Sequence, residues 1–203
     1  MAESDAPGEE YCDPPPFSVE AQGLKLNFYP GGHDRFDALL GLIASADSCL
    51  RLAFYIFATD ESGAAVRDAL VAAARRGVDV RVIVDGFGAT AGRTFFAPLL
   101  EAGGSFRAFI PRFTRGYLIR NHQKLVVADT QMAMLGGFNV ENAYFAPPGE
   151  GRWTDLGFTV EGPVVERAAA WFDELYDWVA RPRRARRARR SRSRRWRRCR
   201  TRA

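Results

Sequence analysis

Apolar positions along the chain switch between a period of two and a helical period in a regular order. Leu24, Leu26 and Phe28 alternate with polar neighbours, which predicts a strand over 24–29 turned by Pro30-Gly31-Gly32. Phe36, Leu39, Leu40 and Ile43 then recur at helical spacing, predicting an amphipathic helix to about Ala46. Leu50 to Phe57 is a continuous apolar run of the kind found in a strand covered on both faces. Asp60 opens a second helix whose apolar side is Val66, Leu70, Val71 and Ala74 and whose end is marked by Arg75-Arg76-Gly77. A strand from Val78 to Val84, a short helix around 95–101 and a strand from Ser105 to Ile110 complete a third unit. After a loop over 111–120 come a strand through residues 121–129, a second apolar run from Met132 to Leu135, an irregular stretch and a strand from Trp153 to Val160. Gly162-Pro163 then starts a last helix reaching about Val179. Strand alternating with helix is the α/β pattern, so a sheet with helices packed on its faces is the expected fold class.

Candidate chemistry is concentrated in Asn121-His122-Gln123-Lys124-Leu125-Val126-Val127-Ala128-Asp129, followed by Gly136-Gly137-Phe138-Asn139. On a strand, His122 and Lys124 share a face, while Leu125 and Val127 point the other way into the core. Gly136 and Gly137 let the backbone come close to whatever the pair holds, and Asn139 adds an amide donor. Imidazole, ammonium and amide around a glycine-lined pocket suit an anionic oxygen cluster, with phosphate the expected guest. A charged lysine is no nucleophile, so His122 is the candidate for that role. Asp129 is read as fixing the orientation and charge of its neighbours, with a strand-ending turn residue as the alternative. His33, the other of the two histidines, has no lysine two residues on and reads as an exposed residue near a helix start.

Charge divides the chain. Residues 181–203 hold fourteen arginines and no acid; without them 15 basic side chains face 24 acidic ones, a net charge of −9 for residues 1–180 against +5 for the whole. Residues 1–22 are expected to be a disordered leader, acidic and proline-rich at first, 23–180 the globular domain and 181–203 a disordered arginine-rich tail. The tail composition fits an arm for anionic lipid, a nucleic-acid arm bound by counterion release, or out-of-frame translation of a GC-rich gene, with the last favoured as its origin. Arg112, Arg115 and Arg120 precede the histidine and read either as a solvated loop or as an electropositive rim. Cys12, Cys49 and Cys199 are scattered and odd in number, which argues for a reducing compartment. No stretch is long and apolar enough for a membrane span, nor is there the order of a signal peptide, so a cytoplasmic protein, or one peripheral to the inner face of the membrane, is expected. No metal or other cofactor is implied, because the histidines and carboxylates show no ligand cluster.

The spacing HxKxxxxDxxxxxxGGxN, filled by His122, Lys124, Asp129, Gly136, Gly137 and Asn139, resembles the signature of the phospholipase D superfamily. Tyr55-Ile56-Phe57 followed by Asp60 and Gly63, Arg76-Gly77-Val78, Asp85-Gly86, Arg120-Asn121-His122 and Trp153-Thr154-Asp155 before Glu161-Gly162-Pro163 are similar to the amino-terminal catalytic half of bacterial cardiolipin synthases. The resemblance covers roughly 24–179. It implies a phospholipase D-like mixed sheet between helices, in a single copy, and a phosphodiesterase or phosphatidyltransferase working through a phosphohistidine without a metal. It also implies catalytic roles for His122, Lys124 and Asp129, and phosphate binding by Lys124, Gly137 and Asn139. The implied substrate is a phospholipid such as phosphatidylglycerol. The chain departs from the pattern in having one motif where such enzymes have two, so the proton donor must come from a second copy in a homodimer, or this is a truncated half enzyme. Two alternatives stay open: a homodimeric single-motif nuclease acting on nucleic acid, and an inactive phosphate-binding module.

Overall fold

Alternating strands and helices build one eight-stranded mixed sheet with helices on both faces, in a computed structural model that describes residues 12–110, 120–149 and 151–180. Residues 1–11, the loop residues 111–119 with Arg112 and Arg115, and the tail with Cys199 lie outside the described residues. The strands are β1 (Phe17–Ala21), β2 (Leu24–Tyr29), β3 (Cys49–Phe54), β4 (Asp79–Asp85), β5 (Ser105–Phe109), β6 (Leu125–Ala128), β7 (Met132–Gly136) and β8 (Gly157–Glu161). The helices are α1 (Gly32–Ser45), α2 (Glu61–Arg75), α3 (Ala97–Glu101), α4 (Asn142–Phe145) and α5 (Val164–Ala180). Sheet order is β1-β2-β8-β7-β6-β3-β4-β5, with β3, β4 and β5 parallel and the remaining pairs antiparallel.

Each face has its own core. On one side α1, α2, α3 and α4 bury Leu39, Ile43, Val66, Leu70, Leu99 and Phe145 against Leu50, Leu52, Phe54, Val80, Val82 and Val126. On the other, α5 lays Val165, Ala169, Phe172 and Tyr176 on Ala53, Ile83, Leu125, Val127 and Ala133. Alternate residues of β3, β4 and β6 thus feed opposite cores, which is why these strands read as unbroken apolar runs. The α-β-α arrangement is the one expected.

Four local assignments differ from the expectation. Residues 17–21, assigned to the leader, form β1, joined to β2 through Gln22 and Gly23, which adopt positive φ of 53° and 75°. Every β1 residue is exposed, so the strand buries no face that a hydrophobic pattern could reveal. The apolar run from Leu50 leaves the sheet after Phe54, although Phe57 still bridges Val140. The stretch after Asn139 contains α4. Trp153 to Leu156 is irregular and β8 starts only at Gly157.

Candidate active site

Register decides where the motif residues meet. β6 runs antiparallel to β3, with Ala53 opposite Leu125, and Leu125 is also opposite Leu135 of β7, whose Gly136 faces Gly157 of β8. The carboxyl ends of β3, β4 and β7 therefore converge with the amino ends of β6 and β8. His122, Lys124, Gly136, Gly137, Tyr55 and Asp155 all lie at that end.

His122 and Lys124 are not on the strand itself: β6 begins at Leu125, and the two residues form its lead-in. They are nevertheless brought together. Lys124 Nζ lies 3.0 Å from His122 Nδ1 and 3.2 Å from Nε2, and donates to the His122 carbonyl oxygen at 3.0 Å. An ammonium offers donors only, so of the two ring nitrogens only the one that carries no hydrogen can accept from it. Lys124 is buried, whereas His122 is exposed. Burial lowers the Lys124 pKa below the usual lysine value, and the nearby Asp155 carboxylate works against that shift. A cavity of about 440 Å³ opens beside the pair, walled by Leu125, Leu135, Gly136, Ala168 and Trp171. His122, Gln123 and Lys124 supply its polar lining, and the other walls are mainly apolar.

The two glycines create room for this arrangement. A Cβ at Gly137 would stand 2.6 Å from an Asp155 carboxylate oxygen, and one at Gly136 would stand 2.4 Å from the Leu156 carbonyl oxygen. Their role is to admit the 155–156 segment, and with it a carboxylate, against the end of β7. Arg35 holds that segment from behind. Buried on α1, it donates from Nη1 to the carbonyl oxygens of Asp155 (2.5 Å), Tyr29 and Pro30, and from Nη2 to that of Tyr144.

Asn139 is near the site, but its amide is already engaged. Oδ1 accepts from the Ile56 N–H at 3.0 Å, and Nδ2 donates to the Tyr144 hydroxyl at 2.9 Å. It thereby fixes the chain beyond β3, where Tyr55 packs its ring against His122 with centroids 4.6 Å apart; Lys124 Nζ is 5.5 Å from the same ring centre.

Asp129 is not brought to the site. It sits at the other end of β6, roughly 16 Å along the strand from Lys124 at ~3.3 Å per residue. With φ of 51°, and Thr130 at 60°, it forms the tight turn into β7. Its carboxylate accepts from the N–H groups of Asp47, Ser48 and Cys49 and from Ser48 Oγ, at 2.7–2.8 Å. Burial pushes this carboxyl up, but the four bonds outweigh burial and hold it below the usual carboxylate range. The catalytic role expected for Asp129 gives way to its alternative as a turn residue, one that pins the β6–β7 turn to the start of β3. His33 is exposed in the first turn of α1, 3.4 Å from Asp37, and Arg120 stacks on Phe87 at 4.3 Å. Tyr55 and Asp155 belong to the local stretches that carry the family resemblance, but the sequence gives no spacing rule that sets either beside His122. Among the described residues, no group of three or more His, Cys, Asp or Glu side chains converges as a metal site.

The mixed sheet, with its His-Lys pair beside a cavity lined by the start of β6, the end of β7 and α5, has a phospholipase D fold. It is shared with solved structures of the family. Nuc from Salmonella typhimurium, a phospholipase D family member, aligns with a TM-score of 0.57 at 23% identity, covering 76% of this chain and 93% of that one. Phosphatidylserine synthase from Haemophilus influenzae Rd KW20 aligns with a TM-score of 0.61 at 17% identity, over 82% of this chain and 39% of its own. In sequence, the major cardiolipin synthase ClsA of Bacillus subtilis is 38% identical over 167 residues, 79% of this chain. The chain belongs to the family described as cardiolipin synthase, PLD-like domain, which matches residues 39–176. It spans about a third of the length of the curated relatives that it matches, 34% in the case of ClsA.

Proposed function

We propose that this domain transfers a phosphatidyl group through His122, as a cardiolipin synthase-like half site. A lone-pair nitrogen of His122 attacks the phosphorus of a phosphodiester, a P–N bond forms, and the P–O bond to the leaving alcohol breaks. The alcohol oxygen takes up a proton, and a second alcohol, or water, then displaces the imidazole and restores it. Lys124 holds the non-bridging oxygens as charge develops on them, and its burial strengthens that interaction by keeping water away. Asn139 and the two glycines serve by placing Tyr55 and Asp155 around the pair. The observation that carries this reading is the 3.0 Å contact between Lys124 Nζ and an imidazole nitrogen at the edge of an open cavity.

Apolar walls beside the Lys124 ammonium suit an amphiphile whose phosphate lies at one end, which favours a phospholipid such as phosphatidylglycerol over nucleic acid. The relatives named cardiolipin synthase support the same choice. The proton donor for the leaving alcohol is assigned to His122 of a second copy across a two-fold axis, a geometry in which two identical motifs face one phosphate. No helix among the described residues is long and apolar enough to cross a membrane, and action at the surface of an anionic bilayer fits such a substrate. The test is to incubate the protein separately with phosphatidylglycerol vesicles and with single-stranded DNA. Release of glycerol from the lipid, lost in His122→Ala, supports the proposal. Cleavage of DNA with the lipid untouched contradicts it.

A further inference from the structure

Asp85 ends β4 and has no exposed surface. A carboxylate so placed must be supplied with donors, and here they come from the main chain. Oδ1 accepts from the N–H groups of Phe87 (2.9 Å) and Gly88 (3.1 Å), which closes a turn around residues 85–88. Oδ2 accepts from the N–H of Asn121 at 2.8 Å, thirty-six residues further along the chain. The turn needs only the first two bonds. The third ties down the residue immediately before His122.

The same turn meets the site twice more. A Cβ at Gly88 would stand 2.7 Å from the Tyr55 ring, so glycine there lets Tyr55 lie where it packs on His122. Phe87 carries the Arg120 guanidinium, one residue before Asn121. Residues 85–88 therefore touch Arg120, Asn121 and, through Tyr55, His122.

We infer that Asp85 is a positioning residue for phosphoryl transfer: its carboxylate fixes the main chain at Asn121 so that the His122 imidazole is held against Lys124 and aimed at the phosphorus. The inference rests on the reading of His122 as nucleophile. Lysine supplies the charge and histidine the bond, and the main chain before His122 contributes to setting the approach. A misplacement of about 1 Å costs up to about 100-fold in rate.

The test uses the two histidines of the chain. In protein carrying ¹⁵N-labelled histidine, the exposed His33 is the internal reference for His122. Asp85→Asn has one acceptor oxygen for the two roles, so it keeps either the turn or the Asn121 bond. Expected are displaced His122 ring signals with those of His33 unmoved. In transfer from phosphatidylglycerol, kcat should fall roughly 10- to 100-fold while KM changes less than about twofold. Gly88→Ala should disturb His122 through Tyr55 in the same direction, and serves where Asp85→Asn does not fold. In the wild type, the Asn121 amide should exchange with solvent as slowly as the amides of β6. Fast exchange of that amide, or a folded variant whose His122 signals match the wild type, overturns the inference. If the wild type forms no phosphohistidine, the nucleophile reading fails, while the ring signals and amide exchange still decide the place of Asp85.

Discussion

Lys124 serves two ends that pull against each other. Its ammonium is needed beside His122, yet it sits buried, where a cation is costly. Lys124→Met keeps the length and removes the charge. It should raise stability by about 1 kcal/mol in urea unfolding while abolishing phosphate binding at His122, because functional sites trade stability for charge. A variant that is both weaker in stability and unchanged in binding would contradict this. Asp129 behaves in the opposite way. Asp129→Ala leaves three main-chain N–H groups and the Ser48 hydroxyl without their acceptor and should cost about 2–3 kcal/mol, with transfer per folded molecule retained. The folded Asp129 pKa is depressed, so its contribution is fully present above the ordinary carboxylate value near 3.8. It is lost as pH falls through the lower folded value, and the loss of stability between wild type and Asp129→Ala should therefore shrink only in acid. The closeness of His122 and Lys124 is legible in the sequence because they stand two residues apart, whereas the paired glycines admit residues 155–156, which their own spacing does not announce. The burial of Asp85 and the stacking of Tyr55 on His122 are not legible either, since both depend on contacts between residues far apart in the chain.

At the level of elements, Arg35 ties α1 to the end of β2, to α4 and to the lead-in of β8 through four carbonyl oxygens. Arg35→Ala strands those oxygens inside the protein and should destabilise by about 3 kcal/mol or more in urea titration. The lead-in of β8 should loosen first, which hydrogen exchange at Leu156 and Gly157 would show. Unchanged stability would mean that water replaces the guanidinium without cost. The apolar runs of β3, β4 and β6 and the helical spacing of α1, α2 and α5 were readable because each of these elements buries a face. β1 and α4 were not, as β1 buries nothing and α4 is a single turn placed by tertiary contacts. Trp153 to Leu156 has the composition of a strand, but Asp155 and its neighbours are drawn aside by Arg35 and by the space above Gly136 and Gly137.

For the molecule as a whole, the proposed reaction has the leaving alcohol take its proton from His122 of a second copy. Transfer per chain should then rise with protein concentration and level off as the dimer saturates, in step with sedimentation; full activity in a species that sediments as a monomer would contradict the two-copy site. The central claim, that His122 takes the phosphoryl centre, is tested most directly by catching the adduct. The protein is mixed with phosphatidylglycerol, quenched in alkali, where a phosphorus–nitrogen bond to histidine survives, and read by peptide mass spectrometry. A phosphatidyl group, or the glycerophosphoryl group left once alkali strips its acyl esters, on the peptide containing His122 and absent from His122→Ala is the expected result. Turnover of the lipid with that peptide unmodified, or an adduct that persists in His122→Ala, would contradict the claim.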